Sequence, residues 1–371
     1  MAETADVIIV GGGIAGLSLA SALTADDRAK LRVILVEAEH SLAYHTSSRS
    51  ARQLIPSYGP EVVQRLTDRT LRLIREAEQD LPAPVLTPRS FLLVGSEENV
   101  AARASGAMER ISWDDAVRLC PQIGPAAGAA GYDAAGLDTT AVGCNTDLLL
   151  DHHRSRAEAG GTQILTGARV HSVQRLRTAW EVGAGAQAVH AAVVVNAAGA
   201  WADELAVLSG VATQGLRPYR RTAAVTAAGR APAPDSPMVA AADDSFYFRR
   251  DDDGLLISPA ESVPSVPEDA QPRPEDLESL ISRLNGLTTL DIGTVLRAWT
   301  GLRTQAADGL PVVGFDPEAE GFFWLAGQGG YGFQTSSAIA ELAAGLITGT
   351  GTGAGNGAGH PVAAALAAGR S

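Results

Sequence analysis

One short stretch constrains this chain more than any other. The β-branched run Val7-Ile-Ile-Val10 passes directly into Gly11, Gly12, Gly13, Ile14, Ala15 and Gly16. Leu17 to Leu23 keep helix-compatible spacing, and a second short strand over 32–36 ends at Glu37. Strand, glycine turn, helix, strand and acid make one βαβ unit. In this order Gly11 permits the tight turn, Gly13 lets a pyrophosphate approach the backbone, and Gly16 lets helix and strand pack closely. The helix N-terminus offers unpaired N–H groups and partial positive charge to phosphates. Glu37, with Ala38 beside it, stands where ribose hydroxyls would need an acceptor. The unit reads as dinucleotide-binding.

Composition narrows the class. With 371 residues, 46% hydrophobic and 19% charged, the chain is neither disordered nor a coiled coil. A formal charge of −13 excludes a nucleic-acid partner. Cys120 and Cys144 make no disulfide scaffold and no metal-type spacing, so no metal site is expected. No apolar run reaches transmembrane length and no basic n-region opens the chain. The expectation is a soluble α/β protein of a reducing, cytoplasmic compartment, with peripheral membrane contact left open. Lys30 is the single lysine among 29 basic residues, so lysine chemistry is almost absent.

The rest of the chain has two textures. Residues 193–197 and 322–326 are further buried-strand candidates, the second followed by glycines and a helix over about 335–347. Residues 85–145 and 219–300 carry alternating patterns that predict antiparallel strands, with helices near 60–80 and 273–285. We therefore expect an α/β fold: a discontinuous Rossmann-type domain (1–84, 146–218, 296–347) and an inserted α+β substrate domain (85–145, 219–295). Residues 348–371 read as a flexible tail, because 348–359 are almost all Gly, Thr and Ala.

The first fingerprint does not separate FAD from a nicotinamide cofactor, but the distal half does. Gly329-Gly330-Tyr331-Gly332 lies between a strand and a helix and offers a second close approach far from the first. A helix starting near Gln334 would aim its positive end at a reduced flavin.

Beyond these loops stand Tyr44-His45 with Arg49-Ser50, Val195-Asn-Ala-Ala-Gly-Ala-Trp201, Arg220-Arg221, and Ser245-Phe-Tyr247. They are followed by Trp299-Thr-Gly-Leu-Arg303, Ala307-Asp-Gly309, Gly321-Phe-Phe-Trp324 and Gln328-Gly-Gly-Tyr-Gly332. In these residues the chain resembles the D-amino-acid oxidase superfamily of FAD-dependent oxidoreductases, and within it the D-arginine dehydrogenase branch. The resemblance implies an antiparallel sheet covering the flavin, and the FAD is expected to be non-covalent because Cys120 and Cys144 both precede the C-terminal half in which some members of that superfamily tether it. It implies cofactor contacts at Ser48, Arg49, Ser50, Val170, Ala198, Gly199, Trp201, Gly301, Arg303, Gly329, Gly330, Tyr331, Gly332, Phe333 and Gln334, beside those of the first βαβ unit. It also implies a substrate carboxylate held by Arg303 and Arg220 with the Tyr247 hydroxyl, Tyr58 as a lid, and the Gly330 carbonyl on the substrate nitrogen. Guanidinium groups suit carboxylates because their donors match in pairs. Arg220 is preferred here over its neighbour Arg221.

Two departures from that branch shape the substrate expectation. Phe91 stands where an acid would meet a cationic side chain, and Gln53, with Ile55 nearby, replaces a histidine. A neutral or apolar D-amino acid is therefore expected, losing hydride from its α carbon to flavin N5 and yielding an imine that hydrolyses to a 2-oxo acid and ammonia. Another amino or 2-hydroxy acid is the alternative substrate, and a non-enzymatic flavin module the third reading. The electron acceptor is a quinone or O2. Lys30 lies by the nucleotide unit and cannot supply a charge near N5, which favours a dehydrogenase.

Overall fold

The computed structural model describes residues 3–25, 31–252, 254–350 and 361–370. Lys30 and residues 351–360 of the expected tail lie outside the described residues.

Strand β1 (Glu3–Val10), helix α1 (Ile14–Leu23) and strand β2 (Val33–Val36) form where the sequence places them. β1 lies parallel to β2 on one side and to Gln187–Asn196 on the other. The parallel set continues through Gln163–Leu165 beyond β2 and Phe322–Ala326 beside Asn196. β2 and Phe322–Ala326 are buried along their whole length, the mark of parallel strands covered on both faces. α1, the helix Glu61–Ala77 and the helix Gly332–Thr348 pack on one face around Leu17, Leu71, Ile339 and Phe323.

A second, nine-stranded sheet is antiparallel except where Met238–Ala241 runs parallel to Phe91–Gly95. Its spine is the pair Arg217–Ala228 and Ile292–Gln305. The expected domain cuts at 218/219 and 295/296 fall inside these two long strands, which carry the sheet toward the first domain. The helices expected near 60–80 and 273–285 are found at Glu61–Ala77, extended by a 3-10 turn, and at Pro274–Leu287.

The chain end departs from expectation. Pro361–Leu366 is a helix whose Val362, Ala363 and Leu366 are buried in the core with Val313 and Leu325. Arg370 pairs with Asp308 at 2.7 Å. The glycine-rich composition of 348–359 hid the apolar segment that follows it.

Candidate active site

The glycine turn is fixed by close contacts. Gly11 has φ +113°, and a Cβ there would lie 2.3 Å from the Ala197 carbonyl oxygen. A Cβ on Gly16 would stand 1.9 Å from the Gly11 carbonyl. Gly13 differs: its Cβ would meet only the Ser47 hydroxyl, at 3.1 Å, and otherwise face a cavity of about 360 Å³. Gly13 caps α1 without a side-chain partner, and the Ile14 N–H donates to Ser47 Oγ at 2.9 Å.

That cavity runs from Glu37, Ala38 and Val170 past Gly11 and Gly13 to Ala198, Gly199 and Trp201. Glu37 accepts from the N–H groups of Gly12 (2.7 Å) and Glu39 (2.9 Å), which holds the carboxylate in place with lone pairs to spare. The Trp201 ring lies 4.6 Å from His45, whose Nε2 is 3.1 Å from Glu39.

Thr46 and Ser47 line this cavity and also the next, which extends over Gly301, Arg303, Gly329, Gly330 and the first turn of Gly332–Thr348. Gly332, Phe333 and Gln334 all face it, so the positive end of that helix is directed there. Gln334 is anchored by Thr67 Oγ1 at 3.0 Å. Gln53, Arg49, Ser50, Arg221 and Tyr247 also line it, and among the described residues no Asp or Glu does.

Arg220 is the main correction. The register pairs Tyr219 with Arg303 and Arg221 with Gly301, so Arg221 and Arg303 share one face of the sheet and Arg220 takes the other. Arg220 is 6% exposed and committed to Glu268 at 3.2 Å and to the Gln271 carbonyl. Arg221 donates from Nε to the Glu261 carbonyl at 2.7 Å, and neither it nor Arg303 forms an ion pair among the described residues. Burial first, and then the Arg303 charge, push the Arg221 pKa below its ordinary value.

Six further expected residues, named next, lie off the two cavities. Ala15 packs against the core, and Ser48 donates to the Tyr44 carbonyl at 2.8 Å. Phe91 and Ile55 are buried with Leu93, Met238 and Tyr247 in an apolar cluster behind the wall. Tyr331 meets Tyr58 at 5.3 Å between ring centres rather than facing the cavity, and Tyr58 lies with it. Burial and the Tyr58 neighbour push the Tyr331 phenol up to about 12. Sequence reasoning missed Thr46 and Ser47 as cavity residues. The polar run Thr46-Ser-Ser48 was the available signal.

The two cavities, joined at Thr46 and Ser47, form one path from an acid at the end of β2 to a second glycine loop. A nucleotide at the first end and a flavin ring at the second fit it, and Gly13 leaves room at the helix start for the linking phosphates. Fold and site thus define a dinucleotide-dependent oxidoreductase. Residues 6–346 match the DAO family, described as FAD dependent oxidoreductase, and the chain belongs to that family. It is 27% identical over 410 residues to FAD-dependent oxidoreductase domain-containing protein 1 of Bos taurus, covering 93% of this chain and 81% of the relative. The Xenopus laevis protein of the same name is 25% identical, with 93% and 79% covered. Among solved structures, L-proline dehydrogenase from P. horikoshii superposes with a TM-score of 0.80 at 20% identity, over 98% of this chain and 96% of that one. Glycine oxidase from Geobacillus kaustophilus gives 0.79 at 20% identity, over 93% and 95%. At such identities the likeness is one of fold. The protein is an FAD-dependent oxidoreductase, and no helix among its described residues is long and apolar enough to cross a membrane.

Proposed function

We propose that this enzyme, on its resemblance to the D-arginine dehydrogenase branch, oxidises a D-amino acid with a neutral or apolar side chain, holding its carboxylate with Arg303 and with Arg221 in place of the expected Arg220. The observation that carries the reading is the pair Arg221 and Arg303 on one face of an acid-free cavity. Neither guanidinium forms an ion pair among the described residues, so both are suited to an anion, and a substrate carboxylate supplies it. Tyr247 lines the same cavity, with its hydroxyl the proposed further donor, and the Gly330 carbonyl is the proposed acceptor for the substrate nitrogen. The same two positive charges repel an ammonium group, so the amine binds as the free base. FAD, when bound, supplies the two-electron oxidant, and the substrate leaves as an imine that hydrolyses to a 2-oxo acid and ammonia.

The absence of an acid from the wall among the described residues supports a neutral side chain. The single lysine, Lys30, is expected beside the nucleotide unit, and this supports a dehydrogenase using a quinone-like acceptor over an oxidase. Related folds include L-proline dehydrogenase and glycine oxidase, so the test must span both enantiomers and 2-hydroxy acids. Anaerobic mixing with such a panel should bleach the flavin with D-Leu, D-Met or D-Phe and more slowly with D-Arg. Bleaching by L-amino or 2-hydroxy acids alone would replace the proposed substrate class. Admitting air afterwards should reoxidise the flavin slowly compared with an added dye.

A further inference from the structure

The segment joining Gly254–Ser258 to the helix Pro274–Leu287 crosses from the substrate sheet to the cofactor domain. It is tied down from both sides. On the sheet side, Val263–Pro264 pairs with Tyr219–Arg220, and the Ser265 N–H donates to the Pro218 carbonyl at 2.9 Å. Arg220 then holds Glu268 and the Gln271 carbonyl, while Ser265 Oγ donates to Glu268 at 2.6 Å.

On the cofactor side the partners belong to Tyr44–Arg49. Arg49 ion-pairs with Asp269 and donates to the Ala270 carbonyl at 3.1 Å. The Tyr44 hydroxyl donates to Asp269 at 3.2 Å, and His45 Nδ1 lies 3.8 Å from the same carboxylate. Ala270, 2% exposed, packs against Ala200, Leu302 and Trp201. Residues 44–47 line the dinucleotide cavity, and Thr46, Ser47 and Arg49 line the flavin-side cavity. The strap therefore holds the piece of chain that walls the cofactor path at its junction.

We propose that residues 265–271 are a latch for FAD, with Asp269 and Arg220 as positioning residues that keep Tyr44–Arg49 against the bound cofactor. The assignment explains why a buried arginine beside the substrate wall is turned away from it. Arg220 fixes one end of the strap through Glu268, and Arg49 fixes the other through Asp269. Glu268 and Asp269 are 41% and 40% exposed, so the latch contacts sit at the surface and can open without unfolding either core.

The test uses holoenzyme and its variants Asp269→Asn and Arg220→Met. Free FAD is followed by its fluorescence after dilution, and melting midpoints are measured for apo- and holoprotein. Loss of a charged hydrogen bond should raise the FAD release rate by about tenfold or more. The apoprotein midpoints should change little, and Asp269→Glu should restore slow release. Release at the wild-type rate from both variants would overturn the latch. Faster release matched by an equal fall in the apoprotein midpoint would also overturn it, since the contacts would then serve only the fold. Should Arg220→Met fail to fold, Asp269→Asn and Tyr44→Phe carry the same test, because each keeps the shape of its side chain.

Discussion

Gly330 lies so close under Arg303 that a Cβ at residue 330 would stand 2.8 Å from the guanidinium Nη1 and 3.0 Å from Cζ. The glycine loop and the strand Ile292–Gln305 are thereby fitted to one another, and the guanidinium is held against the backbone at the cavity edge. Gly330→Ala should displace Arg303 rather than the loop. We expect KM for the best amino acid to rise about tenfold or more, in steady-state assays at saturating FAD. An unchanged KM would mean that Arg303 has room to spare.

Arg303→Met and Arg221→Met should each weaken carboxylate binding. Removing one partner of a desolvated charge pair costs about 2–5 kcal/mol, so KM should rise by at least ~30-fold. Arg220→Met should leave KM near the wild-type value when FAD is added in excess. Equal effects at 220 and 221 would contradict the sheet register.

Gly13→Val and Gly16→Ala should fail in different ways. A Cβ at 13 meets only Ser47 Oγ and otherwise points into the cofactor cavity, so the variant should fold yet be isolated without flavin. A methyl at 16 meets the Gly11 carbonyl inside the βαβ turn, and overpacking of this kind costs about 1–3 kcal/mol or more. Absorbance at the flavin band and thermal melting separate the two outcomes.

The rate should depend on pH through the substrate amine. With Arg221 and Arg303 lining an acid-free wall, kcat/KM should climb as the amine deprotonates and level off above its pKa. The Tyr331 phenol, pushed up to about 12, stays protonated over this range, so Tyr331→Phe should leave the limb in place. A substrate with a less basic amine should shift the limb to lower pH. Profiles from about pH 6 to 10 provide the check.

Flavin should be released by acid precipitation. Cys120 and Cys144 are both buried in apolar clusters, with burial pushing their thiols up to about 11 and about 12, and neither lines the cofactor path. Yellow colour retained in the protein pellet would contradict a non-covalent FAD.

The sequence by itself determined the parts whose signals are local. β1, α1, β2 and Glu37 follow from a run of β-branched residues, three spaced glycines and one acid, each acting through its own backbone or its neighbours. The second glycine loop and the helix after it were legible for the same reason, and the family resemblance extended that reading along the chain. Only the tertiary structure decided which arginine serves the cavity. Alternation along Arg217–Ala228 separates Arg220 from Arg221 onto opposite faces, but it does not say which face meets the flavin side. That is set by pairing with Arg303 and Gly301, some eighty residues away in sequence. Phe91 and Tyr331 were misplaced for the same physical reason: packing between distant segments put one behind Tyr247 and the other against Tyr58. The docked helix Pro361–Leu366 owes its place to Val313 and Leu325, apolar partners that its own sequence cannot name.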